Sequence, residues 1–146
     1  MSNEYINAKW DDGMLHLSHA MHCCHTPWEE ARDFMFDHPD RAFLWHQPEV
    51  MEIRELLGVA CIVIDMCQFG LAALATQLPM RTRTRIMKKS PVRLRHLAGK
   101  LCPRQHKPQL VHESEGGIRR STWAQIYPPG LCDAMIRAAL MHVSQG

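Results

Sequence analysis

Two aspartates that follow apolar runs are the first candidates for chemistry. Asp37 comes directly after the run at 34–36, and Asp65 comes after six apolar residues at 59–64. An unbroken apolar run that contains β-branched residues predicts a strand buried on both faces, and functional groups lie at the carboxyl ends of such strands. Asp37 and Asp65 are therefore candidate catalytic residues, as a carboxylate pair for acid–base chemistry or for magnesium. The alternative is that each carboxylate caps the turn or helix that follows it.

Histidine and cysteine side chains that suit zinc occur in two parts of the chain. His19 and His22 belong to a dense group of His and Cys residues near the N-terminus, and Cys102 and His106 lie in a later stretch, followed by His112. Zinc accepts this mixture of ligands, but a tetrahedral site needs two groups that meet in the fold. We expect no resident cofactor. A zinc ion bound by His19, His22, Cys102 and His106 is the alternative.

The six cysteines are scattered, and one of them, Cys61, lies inside the predicted strand at 59–64. This pattern indicates reduced thiols in an intracellular protein, cytoplasmic or nuclear, rather than a disulfide framework. Cys67, two residues after Asp65, would be a reactive thiol if a cation lowered its pKa. The alternative is a partly buried, inert thiol.

Positive charge is concentrated in one stretch, although the net charge of the chain is only +2. Residues 81–107 contain ten Lys and Arg and no acidic residue, whereas residues 1–80 contain four Lys and Arg against twelve Asp and Glu. Such a stretch indicates contact with nucleic-acid phosphates and release of their counterions. The alternative is a solvated face paired with the acidic half. The residues predicted to contact nucleic acid are Arg81, Arg83, Arg85, Lys88, Lys89, Arg93 and Arg95.

The elements that would position these residues predict one α/β domain at 14–146 after a flexible N-terminus at 1–13. An apolar stripe predicts a helix that begins at Pro48 and stops at Gly58, between the two predicted strands. Strand, helix and strand in succession form a βαβ unit with a parallel pair. We therefore predict an α/β fold with a small, mostly parallel sheet flanked by helices. An incomplete Rossmann-like unit would have this architecture. No apolar run is long enough to span a membrane, and we expect no signal peptide.

Five short motifs follow one another along the chain. They are FDHPDRAFLW, IDMCQFGL, RTRIMKKSP, the loop with Cys102 and His106, and AQIYPPGLCDAM. In this order they resemble a domain common in retroelement-type polyproteins of protists, dinoflagellates especially, and the resemblance covers about residues 34–135. Longer members of that family carry, upstream, a glycine-rich loop and a Pro-Pro-Cys motif similar to those of class I S-adenosylmethionine-dependent methyltransferases.

The resemblance implies that this chain corresponds to the carboxyl-terminal half of a methyltransferase-like fold. On that view residues 37–39 stand where cytosine-5 methylases place a glutamate that holds the target base. Neither the glycine-rich loop nor the Pro-Cys nucleophile motif is present in the sequence, so we expect this chain not to methylate anything alone. It departs from the family pattern at Asp37 for Glu, Arg83 for Pro, residues 88–89 for Thr-Asn, and Pro108 for the second His of C-x-x-x-H-x-H.

These observations support three hypotheses from different classes. The leading one is a retroelement-derived, methyltransferase-like domain that is non-catalytic and binds nucleic acid through residues 81–107. The second is a small enzyme that uses Asp37 and Asp65 at strand ends. The third is an interaction module for a missing amino-terminal half or for a second copy of the chain.

Overall fold

The computed structural model describes residues 2–107, 111 and 113–140 of the chain, without the side chains of residues 91–93 and 115. The α-helices are α1 (Asn3–Glu29), α2 (Pro48–Glu55), α3 (Arg120–Trp123) and α4 (Pro129–Leu140). The strands are β1 (Met35–Pro39), β2 (Val59–Asp65), β3 (Arg83–Lys89), β4 (Ser114–Glu115) and β5 (Ile118–Arg119). Short 3-10 turns cover Phe43–His46, Met66–Phe69 and Pro91–His96.

The three-stranded sheet is antiparallel, so the prediction of a mostly parallel, Rossmann-like sheet is wrong. Its order is β1-β3-β2, and β3 runs antiparallel to both of its neighbours. β1 and β2 do run in the same direction and are joined through α2, as in a βαβ unit. They are not adjacent, however, because β3 lies between them.

The parallel prediction fails because the sequence of β3 does not look like a central strand. Five of its seven residues, RTRIMKK, are polar, and the pattern predicts only residues 85–87 as a short strand. A strand in the middle of a parallel sheet is normally apolar. Here the β3 cations pair with acids from the first half of the chain, as described below, and this pairing makes a charged strand tolerable between two others.

The side chains of the sheet alternate between two apolar cores on its opposite faces. Ile64 and Ile86 are buried on the face that packs against α4 and Leu94. Met87, the next residue along β3, is buried on the other face with Trp45, against α1 and α2. Successive residues of a strand point to opposite faces, so β3 contributes to both cores and joins the two halves of the fold.

α1 is one helix of 27 residues, and it includes most of the segment at 1–13 that the sequence predicts to be flexible. The Ser2 side chain caps its start by accepting a hydrogen bond from the Tyr5 N–H at 3.4 Å. Pro27 lies in the last turn without ending the helix, and the chain turns away at Ala31, which has a left-handed φ of 57°. Within the described part of the chain, no helix combines the length and apolar character needed to cross a membrane.

Three local predictions are confirmed. The apolar run at 59–64 forms β2, and a helix begins at Pro48. The Pro-Pro-Gly stretch at 128–130 also predicts the start of a last helix, and α4 begins at Pro129. These elements were readable because each has a local signal: β-branched residues in the strand, and proline at the first turn of each helix.

Ile86 offers a test of the central position of β3. Its side chain is 1% exposed, so Ile86→Ala should lower the free energy of unfolding by about 3 kcal/mol through lost burial and a residual cavity. Urea denaturation measures this change. The same substitution at Ile136, which is 57% exposed on α4, is the matched control and should change stability by less than about 0.5 kcal/mol. Equal effects at both positions would contradict the placement of β3.

Candidate metal centre

The end of β2 holds a separate loop, residues 100–102, against the sheet. The Asp65 N–H donates to the Lys100 carbonyl at 2.9 Å, and the Cys102 N–H donates to Asp65 Oδ2 at 2.8 Å. Asp65 is therefore bonded to this loop through both its backbone and its side chain. Because Cys67 follows Asp65 by two residues, the same contacts bring Cys102 close to Cys67.

The buried charge of Asp65 is neutralised by Arg83, its cross-strand neighbour on β3. Arg83 Nε and Nη2 donate to Asp65 Oδ1 and Oδ2, both at 2.9 Å, in a bidentate pair. Burial by itself would raise the pKa of Asp65, but hydrogen bonds from Arg83 and Cys102 and the charges of Arg83 and Arg81 hold this pKa below its usual value. Asp65 is therefore an ionised structural carboxylate.

Cys67, Cys102 and His106 converge beside this pair and could hold a metal ion. Their ligand atoms all lie within 4.8 Å of one another, and Cys102 Sγ lies 3.1 Å from His106 Nε2. Two ligands bound tetrahedrally to one zinc ion are roughly 3.5–3.8 Å apart, given metal–ligand bonds of about 2.0–2.3 Å. Small side-chain movements would therefore bring all three onto one ion.

Local backbone geometry explains why Cys102 and His106 face each other across only four residues. The chain reverses at Arg104, which has a left-handed φ of 58°, and the Arg104 N–H lies 3.4 Å from Cys102 Sγ as a donor. His106 Nδ1 is buried and has no hydrogen-bond partner among the described residues. If His106 Nε2 binds a metal, Nδ1 carries the ring proton.

The 3-10 turn at Met66–Phe69, which carries Cys67, packs under the start of α4. A Cβ atom on Gly130 would lie 2.8 Å from the Phe69 carbonyl oxygen, which is too close for any side chain. The backbones of α4 and of this turn are therefore in direct contact. Burial raises the pKa of the Cys67 thiol, which does not favour the prediction that Cys67 is an activated nucleophile.

A small cavity of about 130 Å³ opens beside the cluster. Two of the candidate ligands, Cys102 and His106, line it together with Arg81 and Arg104. Among the described residues, no carboxylate lines this cavity. The cavity is therefore lined by positive charge from two arginines and by two candidate metal ligands.

The structure does not bring Asp37 and Asp65 together. Asp37 pairs with Ile86 and Asp65 with Arg83, so the two aspartates flank β3 from opposite sides at positions three residues apart. An odd offset places their side chains on opposite faces of the sheet. Burial raises the pKa of Asp37, but Asp65 cannot act as its partner in acid–base chemistry.

His19 and His22 lie on the exposed side of α1 and do not join Cys102 and His106. His19 Nε2 contacts Cys23 Sγ at 3.6 Å, one helical turn away. In the described part of the chain, Cys67, Cys102 and His106 form the one group of three or more potential metal ligands. Pro108 and His112 fall outside the described residues.

Four of the seven cations predicted to contact nucleic acid are used within the fold, three of them in ion pairs. Arg83 pairs with Asp65, Arg85 pairs with Asp40 and lies over the Trp45 ring, and Lys88 pairs with Asp33. Lys89 donates to the Trp28 carbonyl at 3.3 Å. Arg81 and Arg95 make no ion pair with any described residue, and the side chain of Arg93 lies outside the description.

Comparison of the chain with protein-family models, with curated proteins and with solved structures returned no match. The resemblance to a methyltransferase-like half therefore stays a prediction.

Sequence reasoning found two of the three clustered ligands and missed the third. Cys102 and His106 stand out because they are four residues apart in one loop. Cys67 lies 35 residues earlier, and its sequence neighbours suggest only a thiol near an acid. No local signal identifies Cys67 as a ligand, because the contact between Asp65 and the Cys102 N–H that brings the loop near it spans 37 residues.

Asp65→Asn tests whether this carboxylate is a structural ion. The substitution keeps the shape of the side chain but leaves Arg83 without its charged partner. We expect the free energy of unfolding to fall by about 3 kcal/mol. This value is at the lower end for a broken buried ion pair, because the Arg83 side chain is 36% exposed. Urea denaturation at neutral pH measures the change.

The matched control is Asp133→Asn, which removes an equivalent pair with Arg137 on the surface of α4. Both of its side chains are more than half exposed, so the urea midpoint should stay where it is. If the two variants behaved alike, the structural role assigned to Asp65 would be lost.

Proposed function

We propose that this chain is a zinc-binding domain that contacts nucleic acid through the cationic surface beside its metal centre. The observation that carries the proposal is the convergence of Cys67, Cys102 and His106 from separate parts of the sequence. In this proposal the domain is the non-catalytic, methyltransferase-like half of a retroelement-derived protein, an origin that the order of its sequence motifs supports.

The ligand types support zinc rather than a harder cation. Thiolate and imidazole are the ligands that zinc prefers, whereas calcium and magnesium take oxygen ligands. Asp65 is the nearby carboxylate, and its two oxygens already accept three hydrogen bonds from Arg83 and Cys102. The donor set that remains is two sulfurs and one nitrogen.

A zinc ion here would stabilise the fold because its ligands come from two segments. Cys67 follows β2, whereas Cys102 and His106 belong to the loop after the 3-10 turn at Pro91–His96. The ion would join this loop to the sheet, in parallel with the hydrogen bonds to Asp65. Part of the free energy of metal binding then becomes free energy of folding.

The cations that the fold does not use support contact with nucleic acid. Lys100, Arg104 and Lys107 are exposed and lie in the loop that carries Cys102 and His106. None of them makes an ion pair with a described residue, unlike Arg83, Arg85 and Lys88. We name Lys100, Arg104 and Lys107 the loop cations. They can neutralise backbone phosphates without loss of a structural contact.

The alternative of a small enzyme built on Asp37 and Asp65 is not retained. The two carboxylates point to opposite faces of the sheet, and Asp65 is held by Arg83 and Cys102.

Zinc binding can be measured by metal analysis of the purified chain after dialysis. We expect about one zinc ion per chain, and Cys67→Ser or Cys102→Ser should weaken zinc affinity by about 100-fold or more because each removes a protein ligand. Cys23→Ser is the control, since Cys23 contacts His19 on α1 and lies outside the cluster. If Cys23→Ser lost zinc and Cys67→Ser kept it, the centre would belong to α1.

Nucleic-acid binding can be measured by fluorescence anisotropy with mixed-sequence DNA and RNA across a salt series. Replacing the three loop cations with Gln should lower affinity and reduce the slope of log affinity against log salt by about 2 to 3, because up to three counterions are no longer released.

The control for this experiment replaces three exposed cations elsewhere, Lys9, Arg41 and Arg119, with Gln, so that the change in net charge is the same. This variant should keep most of the affinity of the parent chain. Equal losses in both triple variants would indicate that only net charge matters, and no binding by the parent would remove the nucleic-acid part of the proposal.

A further inference from the structure

We propose that a phosphate oxygen of the bound nucleic acid occupies the fourth coordination position of the metal, flanked by Arg81 and Arg104. This inference rests on the proposed zinc site and names the group that completes it. A zinc ion takes four ligands, and the described residues supply three of them, Cys67, Cys102 and His106. A site with three protein ligands keeps one position for a water molecule or another ligand.

The position of the cavity indicates from which side the fourth ligand arrives. The 130 Å³ cavity borders directly on Cys102 and His106, and its other walls are Arg81 and Arg104. This volume corresponds to about four water molecules in the liquid. It can admit one phosphate group.

The charges around the cavity favour an anion. Zinc with two thiolates is formally neutral, so a phosphate needs positive charge from elsewhere, and two guanidinium groups provide it. Arginine matches the planar spacing of phosphate oxygens and binds them through paired N–H groups. The charge of Asp65 would repel an anion, but Arg83 neutralises it through a bidentate pair.

Asp65 is not available as the fourth ligand. Its Oδ1 accepts from Arg83 Nε, and its Oδ2 accepts from Arg83 Nη2 and from the Cys102 N–H. Three of its roughly four acceptor sites are thus used within the fold, and Asp65 is not among the potential ligands whose atoms lie within 4.8 Å of one another. Asp65 thus supports the metal site, whereas the proposed phosphate completes the coordination of the metal.

The test uses the full chain loaded with cobalt(II), whose visible absorption reports the number and type of its ligands. Inorganic phosphate is added, and its ³¹P NMR signal is followed against a zinc-loaded sample. Paramagnetic cobalt broadens the signal of any phosphate that binds close to it, and a change in the visible bands shows that the phosphate is itself a ligand of the metal. We expect this broadening together with a change in the visible bands, and neither effect with nitrate at equal ionic strength.

Two variants and one control locate the flanking charges. Arg81→Gln and Arg104→Gln should each weaken phosphate binding by about tenfold, because each removes a charged donor. Arg95→Gln should not change it, since exposed Arg95 belongs to the same basic stretch but does not line the cavity. Two separate arginines are used so that a folding defect in one of them still leaves a test.

Oligonucleotides with and without a 5′-phosphate identify the source of the phosphate. If only the phosphorylated strand alters the cobalt bands, the ligand is a terminal phosphate, and if both strands alter them, it is the backbone. Either result supports the inference.

Two outcomes would overturn the inference, and each differs from failure of the proposed function. Cobalt bands that appear but do not respond to phosphate leave zinc binding intact and remove the phosphate ligand. A response that appears only in His112→Ala would mean that His112 already fills the fourth position. If no cobalt bands appear at all, the metal site itself fails, and the proposed function fails with it.

Discussion

The buried Asp65 carboxylate is the interaction on which the other features of this fold depend. An ionised carboxylate with no exposed surface is costly unless its charge is paired and its oxygens are hydrogen-bonded. Arg83 supplies the charge from β3, and the Cys102 N–H supplies a third donor from a loop that is far away in sequence. One side chain therefore fixes the pairing of β2 with β3, the path of residues 100–102, and the approach of Cys102 to Cys67.

The ion pairs of this sheet explain a large part of the charge pattern of the sequence. The acidic first half and the basic stretch after residue 80 meet as cross-strand and loop pairs, in which Asp33, Asp40 and Asp65 each bind one cation of β3. Interior and half-buried ion pairs are more sensitive to loss of one partner than to loss of both. The cations that lie after the strand, in the loop near Cys102 and His106, have no such partners among the described residues and are free for external phosphates.

Local structure could be predicted from the sequence, whereas the arrangement of strands could not. The apolar run of β2 and the prolines at Pro48 and Pro129 carry their own signals, and Cys102 and His106 share one loop. The sequence does not show which strands are adjacent. The order β1, α2, β2 along the chain is the same whether β1 and β2 pair directly or β3 lies between them. The central place of β3 depends on three acids that are 18 to 55 residues away from their cations. The role of Cys67 depends on a loop that only the tertiary fold brings near it.

The close contact between Gly130 and the Phe69 carbonyl places the last helix directly against the turn that carries Cys67. With 2.8 Å between that oxygen and the position of a Cβ, even alanine would push α4 away from the turn that carries Cys67. The backbones of the helix and the turn therefore limit each other's position at this contact. Cys67, one of the candidate metal ligands, lies in that turn, two residues before Phe69. The absence of a side chain at position 130 therefore helps to set the place of Cys67 within the candidate metal centre.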